Sequence, residues 1–254
     1  MYKLLSVKEF KSNLIINCSK ILIITIFSTV VLFNAVPFYE ATHDSYVYAL
    51  KSISLTEGTW EISNKKLSET GKWEFVPNSW KKTVYDTAIP KYPPGIPVIG
   101  SIFYLLNGIN GLLYMGPILG IGLIIISDRI ATNLFGKEVG LLTILLLVTN
   151  GIIYSGSIHL LSDNIFATLI ISGFFCLIKF FKHNNFLYLF SASTILSFSV
   201  LIRLSGIIYF PIEIFIIISF FLFLYFKKPN KKFIKNYKKY KIFKTFFVTV
   251  TPWI

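Results

Sequence analysis

The feature that most constrains this chain is its succession of apolar runs, several of which reach the roughly 17–25 residues needed to cross a bilayer. Composition agrees, since 54% of the residues are hydrophobic, 17% aromatic and only 15% charged. The runs predict an all-α polytopic membrane protein, a transmembrane helix bundle of about six full spans and a partial seventh. A net charge of +13 would suggest nucleic acid for a soluble chain. Here most of the surplus falls in residues 227–244, beside an apolar run, which suits a cytoplasmic basic loop against anionic lipid. No motif for reading bases accompanies it, so membrane lipids and not nucleic acid are the expected contacts. Cys18 and Cys176 fall in or beside apolar runs and show no metal-ligand spacing, which argues against a structural disulfide.

Taken in order, residues 1–20 carry Lys3, Lys8, Lys11 and Lys20 against Glu9 and are expected to stay cytoplasmic. Residues 21–36 form the first span, retained because no small-x-small cleavage site comes after it. Residues 38–95 then make a long outer loop with juxtamembrane helices. Within it, residues 45–54 place Tyr46, Leu50 and Ile53 on one helical face, as in a helix lying in the interface. Trp60, Trp73 and Trp80 favour the headgroup layer, and a hairpin is expected over residues 59–75. Tyr92-Pro93-Pro94-Gly95 stops any incoming helix, because proline lacks a donor and restricts the residue before it. Residues 96–106 are too short to span and read as a re-entrant or interfacial helix.

Residues 112–127 then cross inward and 139–154 outward, leaving Asp128-Arg129 as a cytoplasmic surface pair. The outer loop 156–164 holds His159, Ser162 and Asp163. Residues 165–178 return inward, 186–201 go out to Arg203, and 207–226 come back in. Residues 246–254 begin another outward run. Every short connection bearing lysine or arginine is cytoplasmic on this path except the one with Arg203, so Asp44, Asp163 and Arg203 are expected on one face.

Ionisable groups at a membrane are costly, so these three carry the functional expectation. Two carboxylates suit general base catalysis or a divalent cation. Arg203 offers a planar fork for phosphate, and Lys91 beside Tyr92 adds a second cation. Together they suit a reaction in which a lipid-linked phosphate leaves and a carboxylate deprotonates an incoming hydroxyl. Plainer roles stand beside these. Asp163 is also placed to cap the helix that begins there, and Arg203 to snorkel to the interface. Glu213, inside an apolar run, is either a partner for Arg203 or another polar group, or an acid. His43 and His159 are solvated loop histidines or, together with Asp44 and Asp163, metal ligands.

Several landmarks resemble the N-terminal half of a GT-C glycosyltransferase of the protein O-mannosyltransferase and aminoarabinose transferase type. Residues 44–58, opening on Asp44 and closing on Glu57-Gly58, are similar to the segment after that family's first span. Tyr92-Pro93-Pro94-Gly95, Asn133-Leu134-Phe135-Gly136, Leu161-Ser162-Asp163, Arg203 and Pro252-Trp253 come next in the family's order. The resemblance covers nearly all of residues 1–254. It implies inverting transfer of a mannose-like sugar from a polyprenyl or dolichyl phosphate to a protein, lipid or glycan hydroxyl, at the extracytoplasmic face of the cell membrane. It also implies Asp44 as the base, Asp163 organising the site or a cation, and Arg203 with Lys91 and Tyr92 at the donor phosphate. Ser45 stands where many relatives carry a second acid. Relatives also continue beyond the point where this chain ends, so a fragment, a truncated product and a minimal form are all open. The rival readings are a lipid-linked-sugar transporter, which usually shows internal repeats that this chain lacks, and a non-catalytic membrane subunit.

Overall fold

The computed structural model describes residues 2–37, 43–63, 80–82, 87–90, 92–183, 185–227, 249 and 251–253. Lys91, Trp73 and the lysines from 228 to 244 lie outside those residues. The chain runs through helices α1 (Tyr2–Phe33) and α2 (His43–Thr56) to strands β1 (Ile62–Ser63), β2 (Trp80–Lys82) and β3 (Thr87–Pro90). It continues through α3 (Gly95–Phe135), α4 (Lys137–Val148), α5 (Gly151–Ile158), α6 (Ser162–His183), α7 (Phe186–Ile202) and α8 (Tyr209–Lys227). Three-residue-per-turn helices cover Leu204–Ile208 and Thr251–Trp253. Two compact units divide the chain, residues 1–168 and 169–254.

Apart from one small sheet the architecture is helical, as expected. Among the described residues, three helical stretches are long and apolar enough to cross a membrane: Ser12–Phe33, Gly95–Phe135 and Ser162–His183. The bent pair α4 and α5 makes a fourth if it is one span, while Phe186–Ile202 and Leu204–Ser219 are apolar but shorter. The bend between α4 and α5, 66°, interrupts what the apolar pattern presents as one run. It falls at Asn150, whose side chain accepts from the backbone N–H groups of Ile152 and Ile153 and so starts a new helix.

The first unit is built on α1, α3, α4 and α5, with Phe27, Val31, Ile124 and Ile144 fully or nearly buried at its centre. Where α5 meets α3, Gly120 leaves room for the Ser157 hydroxyl, an approach that any Cβ would block. The expected boundary at Lys20 is not where the first helix begins. α1 runs straight through that residue, which is buried, and its ammonium meets Asp128 Oδ1 at 2.5 Å and Thr132 Oγ1 at 2.8 Å. Asp128 is therefore not one half of a surface pair with Arg129. Its carboxylate is drawn into the packed α1–α3 contact because a partly buried charge needs an opposite one.

The expected separation of residues 96–106 from the span after them holds in a specific form. At Asn107 and Gly108 the backbone of α3 leaves helical geometry, and Gly108 takes φ +56°, a region closed to most side chains. A Cβ on Gly111 would collide with the carbonyl oxygen of Phe103. Eight residues of straight helix would separate these two by about 12 Å, so the two arms fold back on each other. Gly111→Ala is accordingly expected to destabilise the protein by about 1–3 kcal/mol, as other overpacked sites do. Unfolding in detergent checks this, and an unchanged midpoint would mean the arms are not in contact.

α2 forms where a helix is expected over residues 45–54. Ser45 to Ala49, Lys51, Ser52 and Ser54 are all buried, whereas Leu50 and Ile53 are only half-buried. It packs against the short arm of α3, where Gly100 admits Ser52. Of the hairpin expected over residues 59–75, residues 64–75 lie outside the described residues. Ser63 pairs with Thr87 and Ile62 with Ala88, antiparallel, and β2 lies on the other edge of β3.

In the second unit Glu213 is fully buried on α8. It accepts from the Ser193 hydroxyl of α7 at 2.5 Å and from the Trp253 indole at 3.1 Å. It is thus a polar partner, but for these two groups and not for Arg203. The ring of Trp253 also lies 5.0 Å from that of Phe210, which seats the final turn on α8.

Candidate functional site

Three hydrogen bonds gather one end of the first unit. Just past α1, the Val36 amide donates to the Ile158 carbonyl at 2.9 Å. At the start of α2, Ser45 Oγ donates to the Leu160 carbonyl at 3.1 Å. Tyr92 Oη then donates to Asp44 Oδ1 at 2.5 Å. Asp44 sits in the first turn of α2, where the unpaired amides of a helix start favour a negative charge. Tyr92 is set by the residues after it. Pro94 stands at the start of α3 with φ −77° and ψ −12°, and the Val98 amide donates to its carbonyl as the helix begins. The ring of Tyr92 rests 5.2 Å from that of Tyr48, one turn along α2 from Asp44. Phenol and carboxylate are thus held from two sides, by α2 and by the entry to α3.

Asp163 belongs to the same end. It is exposed in the first turn of α6, three residues beyond the Leu160 carbonyl that Ser45 holds. The unpaired amides of a helix start favour its charge there. The neighbour that fixes the loop is Asn164, which sequence patterns alone did not single out. Asn164 is buried, and its amide donates to the Ile153 carbonyl at 2.9 Å and to Ser157 Oγ at 3.2 Å. An asparagine beginning an apolar helix was the available signal, since such a group is buried only when its hydrogen bonds are met. His159 lies in the same loop, with Nδ1 buried and without a hydrogen-bond partner among the described residues. No group of three or more His, Cys, Asp or Glu side chains is placed to hold a metal among those residues.

The other end of the unit is marked by Lys20 and Asp128. Lys20 precedes Phe33 by thirteen residues, about 20 Å along α1. Asp44 with Tyr92 and Asp163 are thus grouped at one end, away from the buried ion pair. Arg203 belongs to the second unit. It is exposed, ends α7 in extended conformation, and its amide donates to the Ser199 carbonyl at 2.9 Å.

The model of the dolichyl-phosphate-mannose-protein mannosyltransferase family matches residues 91–254, more than half of the chain. The chain belongs to that family. No curated protein and no solved structure matches it. As a member it is a membrane glycosyltransferase of the mannosyltransferase type, in keeping with its apolar helices. The match begins one residue before Tyr92, so Asp44 lies outside it. What ties Asp44 to the matched part of this mannosyltransferase-family chain is the phenol of Tyr92.

Proposed function

We propose that this family member transfers a mannose-like sugar from a polyprenyl phosphate to a hydroxyl acceptor at the extracytoplasmic face, with Asp44 as the general base. The observation that carries the reading is the hydrogen bond from Tyr92 to Asp44. It occupies one carboxylate oxygen and leaves the other for the proton of an incoming hydroxyl, at the end of an apolar unit where a lipid substrate would present its head. In a single displacement the acceptor oxygen attacks the anomeric carbon as its proton passes to Asp44. The bond from that carbon to the phosphate oxygen breaks, the electron pair leaves with the polyprenyl phosphate, and the configuration inverts. On the family resemblance, Lys91 and Arg203 are cations for that phosphate, and Asp163 shapes the acceptor side.

The direct test supplies the full chain in lipid nanodiscs with polyprenyl-phosphate-mannose and a hydroxyl acceptor. Acceptor-dependent release of polyprenyl phosphate with an inverted linkage is expected. A retained linkage would remove the single-displacement mechanism, and no release at all would leave a non-catalytic membrane subunit. Within that assay, Tyr92→Phe is expected to slow transfer about tenfold, the worth of one hydrogen bond to a charged group, while donor affinity changes little. A rate equal to wild type would show that Tyr92 plays no part in holding the base.

A further inference from the structure

Lys51 is the largest polar side chain in the first unit that is sealed from solvent, at 0% exposed. Its ammonium has no hydrogen-bond acceptor among the described residues. Its neighbour is instead an aromatic face, with Nζ 3.8 Å from the ring centre of Trp60. A buried ammonium loses its hydration, and one cation–π contact returns only part of that loss. Burial pushes its pKa down to about 8, against the opposing pull of Glu61. An ammonium held at such cost, with no hydrogen-bonding anion among the described residues, suits one that pairs closely only when a ligand is bound.

Its position is also informative. Asp44, Tyr48 and Lys51 stand at i, i+4 and i+7 of α2, one stripe of the helix, and Tyr92 covers the first two. The cover over Lys51 is of a different kind. The Glu57-Gly58 end of α2 is a Schellman turn, in which the Thr59 amide donates to the Ser54 carbonyl and the Gly58 amide to that of Leu55. Gly58 has φ +75°, and nothing would crowd a Cβ there. This turn sends the chain back so that Trp60, itself 39% exposed, lies across the ammonium. A single indole two residues past a glycine turn is therefore all that the Lys51 ring contact consists of.

We propose that Lys51 is a binding residue for the phosphate of the lipid-linked donor, held beneath Trp60 until that phosphate displaces the indole. This rests on the reading of Asp44 as the base. A reacting acceptor oxygen stands about 3 Å from its base and about 3 Å from the carbon it attacks, so the phosphate belongs farther along the same stripe. Helical side chains lean toward the N-terminus, so a lysine freed from Trp60 leads back toward Tyr48. Its ammonium would then trade a ring face for phosphate oxygens, a charge-assisted pairing.

The test measures binding of a polyprenyl phosphate and of the matching uncharged polyprenol to the full chain in phosphatidylcholine nanodiscs. Wild type is expected to prefer the phosphate by about tenfold or more. Lys51→Met should lose that preference, keep its polyprenol affinity, and raise the unfolding temperature because a buried charge is gone. Lys51→Arg should keep part of the preference, and Trp60→Ala should tighten phosphate binding because no ring competes. If Lys51→Met keeps the preference, or lowers stability without changing it, Lys51 is structural and the proposal is wrong. Weaker or unchanged phosphate binding in Trp60→Ala likewise overturns it. So does a Lys51-dependent effect of phosphatidylglycerol as strong as that of polyprenyl phosphate, which would assign the site to bulk lipid. A wild type that does not distinguish phosphate from polyprenol would instead remove the donor class under the proposed function.

Discussion

Asp44→Asn is expected to lower sugar transfer by about 10²–10⁴-fold, the contribution of a positioned general base. The substitution isolates the chemistry because asparagine has nearly the shape of aspartate. Its carbonyl oxygen can still accept from Tyr92 Oη, so the hydrogen bond that holds the entry of α3 against α2 remains. What it cannot do is take a proton from an attacking hydroxyl. Unfolding temperature and affinity for the polyprenyl phosphate should therefore stay near wild type while turnover collapses. A radiolabelled transfer assay beside a thermal melt reads both. A variant that transfers at the wild-type rate would mean that Asp44 serves only the start of its helix, and another base would have to be found.

The second large effect concerns stability. Lys20→Met is expected to destabilise the first unit by about 3–5 kcal/mol, because it strands the Asp128 carboxylate inside a packed contact. Asp128 accepts from Lys20 and also from Thr132 Oγ1 at 3.0 Å. Helix α4 closes over the group with Gly140, where a Cβ would come within 2.5 Å of Asp128 Oδ1 and Lys20 Nζ. Three helices thus converge on two charges, and water has little room to replace a missing one. Lys20→Met combined with Asp128→Leu should recover most of the loss, since removing both partners leaves no unpaired charge. Urea or thermal unfolding in detergent distinguishes the cases. A single variant as stable as wild type would place the pair in water and not in the contact.

How much of this is legible without coordinates differs from element to element. The helical, membrane-type architecture comes from run length alone, because hydrocarbon leaves the backbone no other partners for its amides. The break between residues 96–106 and the span after them is also legible, from a run too short to cross, and the structure realises it as a reversal at Asn107-Gly108. The expected Asp128–Arg129 pair fails because adjacency is not pairing. The two are neighbours in sequence, but consecutive helical residues point about 100° apart, and Lys20 comes from the facing helix. Glu213 is legible as an acid inside an apolar run that needs polar partners. Nothing in one dimension could name Ser193 and Trp253 as those partners.

The sequence by itself determined that this chain is a bundle of apolar helices with a short polar inventory, and it singled out Asp44 and Asp163 as the acids to watch. Those facts are local, since they depend on run length, on helix period and on which residues can ionise. Only the tertiary structure decided that Tyr92 is the residue that grips Asp44, that Ser45 and Asn164 pin the Asp163 loop, and that Lys51 lies beneath Trp60 with its ammonium against the ring. Each of those depends on hydrogen bonds or ring contacts between groups that folding alone brings within about 4 Å.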